Sequence, residues 1–379
     1  MKPLPLLLTL VALAVVGAVV LTQLKPPTNG TENSALTSAS PAPLPQDLDD
    51  PFPELPKAPL LEKEFVPDEQ LISFVETHLQ QKFSEPPVFK PVSAEIIIST
   101  IEQDITQFLG AKKLEELNTT ARKLGFMPEF QLLEENLVTI LAGEVRGFIT
   151  PINNLVLNDF VITSPPEQAA IVNLLAQRLL SQSLPYPSQD ATIDAILARH
   201  FSVQALAFST EQEFRKTLPA YPASLNENIR ESILLGLPAF FHELSTFSEF
   251  HLFKKLQTTS SEQTIKSLAT PSPTPSRSLL SFPFKPEPRD KPSHLGAIPL
   301  YLVLLESTDP TTARTLATSL ISDHTSFQKD LFSWTLEFAS EKSPPRAAEL
   351  FRSYFSLRDS EKKVRIEVKE QRLIIKVAS

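Results

Sequence analysis

Residues 144–182 read EVRGFITPINNLVLNDFVITSPPEQAAIVNLLAQRLLSQ, and the order of signals in that stretch decides the fold. Two short runs rich in Val, Ile, Leu and Phe flank Asn153-Asn154, a pair suited to the unusual dihedrals of a tight turn. Residues 145–162 therefore read as a β-hairpin. Ser164 then precedes Pro165, Pro166 and Glu167, an N-terminal helix signal of cap, proline and acid. An apolar-rich helix is expected to follow, through Gln182.

Upstream, PDEQLISFVETHLQQKF starts at Pro67 with acids in its first turn and sets Leu71, Phe74, Val75 and Leu79 on one helical face. Residues 93–126 read as two helices broken near Gly110. PEFQLLEENLVTILAGE is a further helix expected to stop near Gly143 in the manner of a glycine C-cap. Downstream, Ser188 before Asp190 opens another helix, and residues 226–257 give one or two more. Residues 269–293 form a Pro-rich loop. Residues 295–307 and 310–324 resume helix. The terminal KKVRIEVKEQRLIIKVAS alternates charged and apolar residues about Glu370-Gln371, which reads as a hairpin. The expected class is α+β, mostly helical, with a small hairpin beside the helix at 169–182.

The first 66 residues are of a different character. Leu4–Leu21 is an unbroken apolar run about long enough to cross a bilayer, preceded by Lys2. Residues 1–24 read as a transmembrane anchor or a signal sequence, the uncleaved anchor being favoured because the run continues past Ala14, Gly17 and Ala18. Residues 25–66 are rich in Pro, Ser, Thr and Asp and bury too little apolar surface to offset their ordering entropy, so they read as a disordered tether. Residues 67–379 form the domain, which this arrangement exports: periplasmic or extracellular, single-pass at the cell membrane, or secreted if the signal is cleaved. Asn29 and Asn118 match the glycosylation sequon.

With 379 residues and 42% apolar content the chain can bury a sizeable core. Its net charge of −9 and lack of a basic stripe argue against a nucleic-acid partner. It has no cysteine, which excludes disulfides, thiol nucleophiles, Cys-zinc sites and thioether lipid anchors. No phosphate-binding loop occurs.

Several segments, taken in order, resemble a family of exported bacterial zinc-peptidase-like proteins of the H-E-x-x-H (gluzincin) class. They are Lys123-Leu-Gly-Phe126, Val145–Pro151 with Leu155-Val-Leu157, the helix Ala169–Gln182, Ile229–Phe241, Ser260–Gln263 and His294-Leu-Gly296. The likeness covers roughly 70–379. It implies a zincin-like fold in which the helix carries H-E-x-x-H, two zinc ligands on one face with a general base between them. Here those positions hold Asn173, Leu174, Leu175, Ala176 and Gln177. The family's third ligand is a Glu in an E-G-D-A-like stretch of the next helix. Ala198–Ser202 is the expected match, with Arg199 at or beside the ligand. The resemblance thus implies a degenerate member: no metal, no cofactor and no catalytic residue, with a remnant cleft near Asn173, Gln177, Arg199 and His200.

Other candidates carry less. His242-Glu-Leu-Ser-Thr246 lacks the second ligand, and His251 lies on roughly the opposite face. His200 with Asp190 and Asp194 is the chemical alternative to a structural histidine. Ser181, Ser183 and Ser202 have no G-x-S-x-G setting. Glu115-Glu116 and Glu134-Glu135 read as solvated faces. Phe240, Phe241, Phe247, Phe250 and Phe253 read as core. The expected function is a membrane-tethered, non-catalytic, peptidase-like protein that binds a protein, peptide or envelope partner. The alternatives are a hydrolase with relocated catalytic residues in the cleft and a purely structural envelope protein.

Overall fold

In the computed structural model the chain is α+β and mostly helical, with a small four-stranded antiparallel sheet. The structure describes residues 64–144, 147–149, 156–158, 165–188, 191–219, 234–253, 256, 276–281, 293–328, 331–358 and 363–378. The apolar run Leu4–Leu21, the tether to residue 63, Asn29, Asp190 and Ser260–Gln263 lie outside them. Among the described residues no helix is long and apolar enough to cross a membrane.

Helix α1 (Glu69–Leu79) starts where Asp68 accepts the Gln70 N–H, and it buries Leu71, Val75 and Leu79 as its spacing requires. Strand β1 (Phe89–Pro91) follows, then α2 (Ala94–Leu109) and α3 (Ala111–Lys123), separated by Gly110 at φ 74°. Phe65 exchanges two backbone hydrogen bonds with Phe89, and their tilted rings lie 5.6 Å apart, so the folded part begins inside the segment read as tether.

Helix α3 ends in a Schellman motif: Phe126 N–H donates to Ala121 O and Gly125 N–H to Arg122 O, with Gly125 at φ 74°. The further helix expected between this end and the hairpin is present. It is α4 (Leu133–Glu144), and it runs through Gly143, which is therefore not its cap. Asn118 joins α3 to α4, its Oδ1 accepting Leu133 N–H and its Nδ2 donating to Glu134. Glu134 is thereby spent on a helix junction rather than left to solvent. The amide of the Asn118 sequon is buried and engaged.

Strands β2 (Gly147–Ile149) and β3 (Val156–Asn158) form the expected antiparallel hairpin, and β1 adds to β3 in parallel. The long helices α5 (Pro165–Ser183) and α6 (Ile193–Arg215) follow and pack along each other. The α6 cap is Thr192, whose Oγ1 accepts the Ala195 N–H, rather than Ser188. Helix α7 (Ala239–Phe247) continues into a π-helical turn at Ser248–Phe253. Phe240, Phe241, Phe247 and Phe253 are buried, in keeping with the core reading.

The Pro-rich stretch 269–293 contains α8 (Ser276–Leu280), whose Leu279 and Leu280 are buried in the main core. Helix α9 (Ala297–Leu305) is apolar all round and buried over its first eight residues. Helix α10 (Pro310–Thr318) stops well short of His324, and Leu320–Gln328 is strand β4. Its Leu and Ile spacing mimics a helix, but Leu320, Asp323 and Thr325 turn inward on a bulged strand. Strand β5 (Leu331–Phe338), helix α11 (Ser343–Arg358), β6 (Lys363–Lys369) and β7 (Arg372–Ala378) complete the chain. The sheet order is β4-β5-β7-β6. The expected terminal hairpin β6–β7 is present, with Glu370 at φ 52° in its turn. Alternate residues Phe332, Trp334, Leu336 and Phe338 of β5 are buried. The Trp334 ring meets Phe351 of α11 edge-on at 5.8 Å.

A buried polar knot fixes this sheet to the helices. Asp323 accepts the N–H groups of Leu295 and Gly296 and the indole N–H of Trp334, each at 2.9 Å. Ser276 Oγ accepts Ala297 and Ile298 N–H, capping α9 from outside, and Asp194 accepts Ser276 N–H. His294 lies beside these groups, against Thr325.

Candidate functional site

Helix α5 is almost wholly buried, and the five motif positions fall at its centre. Leu174, Leu175 and Ala176 are sealed in the core, with no exposure. Asn173 and Gln177, four residues apart, share one face and bond to each other, Gln177 Nε2 donating to Asn173 Oδ1 at 2.7 Å. Asn173 Nδ2 in turn donates to Glu211 Oε2 of α6 at 2.9 Å. Arg215, one turn further along α6, holds the other carboxylate oxygen at 2.7 Å through Nη2. Gln204 Nε2 reaches Gln177 Oε1 at 3.5 Å. The four side chains thus form a donor chain that points from Gln204 to the Glu211 carboxylate, in a region where Asn173, Gln177 and Glu211 are 5%, 7% and 8% exposed. In such surroundings each bond polarises the next.

Arg199 is not at the position expected of it. Its Nε donates to Leu184 O and its Nη2 to Ser181 Oγ, one turn beyond Gln177, and its guanidinium lies 3.6 Å from the centre of the Tyr186 ring. Arg199 therefore closes the C-terminal end of α5, where free carbonyls favour a cation. The carboxylate that meets the Asn173–Gln177 pair is Glu211, within Thr210-Glu-Gln-Glu-Phe214. The two helices are antiparallel, so residue 173 lies opposite 211 and residue 181 opposite 199. The expected match at Ala198–Ser202 thus lies opposite the end of α5, not opposite the Asn173–Gln177 pair.

A cavity of about 180 Å³ adjoins this face. Gln177, Ser181, Arg199, His200 and Gln204 line it from α5 and α6, and Asp104 lines it from α2. The rest of the wall is apolar. Tyr186 closes one side, its hydroxyl donating to Ile149 O on the hairpin at 3.3 Å. Of the four residues named from sequence, Gln177, Arg199 and His200 share this wall, whereas Asn173 is committed to Glu211 behind it. Asp194, offered as a partner for His200, is not on the wall and is spent on Ser276. Asp104 was missed, and an acid in the middle of the apolar face Ile97, Ile101, Ile105 was the signal that could have found it.

The donor set does not fit zinc. Two neutral amides are poor ligands, Leu174 cannot take a proton, and the one carboxylate is held by a guanidinium. The amide side chains also fill the space between them by bonding directly. The serines weighed as nucleophiles are spent locally: Ser181 Oγ donates to Gln177 O, Ser183 to Leu180 O and Ser202 to Ala198 O. Thr246 Oγ1 donates to His242 O, so His242-Glu-Leu-Ser-Thr246 is an ordinary helical turn. Among the described residues no group of three His, Asp or Glu could hold a metal ion. No protein-family model matches the chain, and no curated protein matches it.

Proposed function

We propose that this chain is an exported, membrane-tethered protein of zincin-like ancestry that works by binding rather than by catalysis. The observation that carries this reading is the Asn173–Gln177–Glu211–Arg215 network. At the spacing where a zinc peptidase presents two histidines, the helix presents two amides, and their hydrogen bonds occupy the place of the metal. Glu211 stands as the relic of the third ligand. The adjoining cavity is the place for a partner, because it is concave, mainly apolar and furnished with a few polar groups. In this reading Leu4–Leu21 anchors the chain in the membrane and residues up to 63 act as the tether. The domain faces the periplasm or the exterior, and the partner is a peptide, a protein segment or an envelope component. Elemental analysis of the purified full-length protein tests the reading. Zinc well below stoichiometric is expected, and about one zinc per chain would overturn it.

A further inference from the structure

Among the described residues Asp104 is the one acid on the cavity wall, and it is 5% exposed. Its Oδ2 is buried with no hydrogen-bond partner. A buried carboxylate oxygen without a donor is costly to the fold. Proteins keep such groups where a ligand supplies what the chain does not. Burial pushes the Asp104 carboxyl above its ordinary range. Arg199, on the same wall, is turned to other partners: its Nε donates to Leu184 O and its Nη2 to Ser181 Oγ, and its face lies over Tyr186. Ile105, Phe108, Leu137, Ile140, Ile196 and Leu197 belong to the apolar part of the same wall. The space of about 180 Å³ exceeds the roughly 150 Å³ that suffices to hold a benzene ring in an apolar cavity.

We infer that the cavity binds a compact apolar group carrying a primary ammonium, with the ammonium on Asp104 and an aromatic-sized body against the Ile and Phe wall. An anion is disfavoured, because it would meet the Asp104 carboxyl. Two sources offer this chemistry, a free arylalkylamine and the amino-terminal residue of a peptide that begins with Phe. The inference rests on reading the remnant cleft as a binding site. Zinc in the purified protein would sink that earlier reading, whereas the result below would sink this one alone.

The test is calorimetric titration of the full chain with phenethylamine, with its isosteres 2-phenylethanol and phenylacetate, and with Phe-Gly-Gly. Saturable one-site binding of phenethylamine or of the peptide is expected, at least about tenfold tighter than either isostere. The tighter of the two names the source. Asp104→Asn should weaken that binding at least about tenfold and at the same time raise the urea midpoint at pH 7, because it removes an unpaired buried charge. Ile196→Trp should abolish binding by filling the cavity. Binding of phenylacetate as tight as that of the amine would overturn the assignment. So would amine affinity unchanged by Asp104→Asn, or no saturable amine binding by a folded protein.

Discussion

Glu211 shows how a buried carboxylate is accommodated between two helices. A carboxylate at 8% exposure is costly unless paired, and here it has both a guanidinium and an amide donor. Removing it leaves the Asn173 amide and Arg215 short of an acceptor. Glu211→Ala should therefore lower stability by about 3 kcal/mol, while Glu213→Ala on the exposed face should change it by less than about 1 kcal/mol. Urea denaturation of the two variants checks this. A second residue-scale effect concerns pH. Burial holds His294 below its ordinary value of 6.5, the nearby Asp323 opposing the shift only in part. The folded state thus prefers neutral His294, and its contribution to stability is complete above the ordinary value. That contribution is lost as pH falls below 6.5 toward the depressed folded value. The urea midpoint should drop between pH 7.5 and 5.5, and His294→Gln should flatten the drop.

At the scale of elements, Gly296 joins three of them. It sits at φ 90°, donates to Asp323, and brings the backbone so near α6 that a Cβ would lie 2.6 Å from Asp194 Cγ. Gly296→Ala should cost about 2–4 kcal/mol, from the left-handed backbone and the clash together. Gly110→Ala shares the positive φ but meets nothing within 4 Å, and should cost only about 1–2 kcal/mol. Thermal unfolding of the pair separates the two terms. The elements themselves were legible where periodicity is local. Helix α1, the break at Gly110, the hairpin of β2 and β3 and the hairpin of β6 and β7 all follow from apolar spacing and turn residues. Strand β4 was not legible, since Leu316, Leu320 and Ile321 continue a helical stripe. Only the long-range partners of Asp323 in β5 and before α9 reveal that the chain has become a strand. Helix α8 escaped for a similar reason: proline content masks a turn whose two leucines are held by the main core.

For the whole molecule, the α5–α6 pair is the axis about which hairpin, cavity and amide network are arranged. The place of the candidate site was readable from the 144–182 stretch, but its composition was not. Gln177, Arg199 and His200 do share a cavity wall. Glu211 and Asp104 belong to the same region through antiparallel packing and a third helix, which a linear sequence does not encode locally. In the function proposed above, this region is a former zinc site with amides in place of histidines and Glu211 opposite them. Zinc titration of the Asn173→His/Gln177→His variant tests it most directly, with Glu211→Gln or Arg199→Glu added in turn. The account predicts that the wild-type chain takes up no equivalent of zinc and that the double variant takes up one. Adding Glu211→Gln should weaken that binding by at least about tenfold, while adding Arg199→Glu leaves it nearly unchanged. A double variant whose zinc affinity ignores Glu211 and rises only with Arg199→Glu would contradict the account.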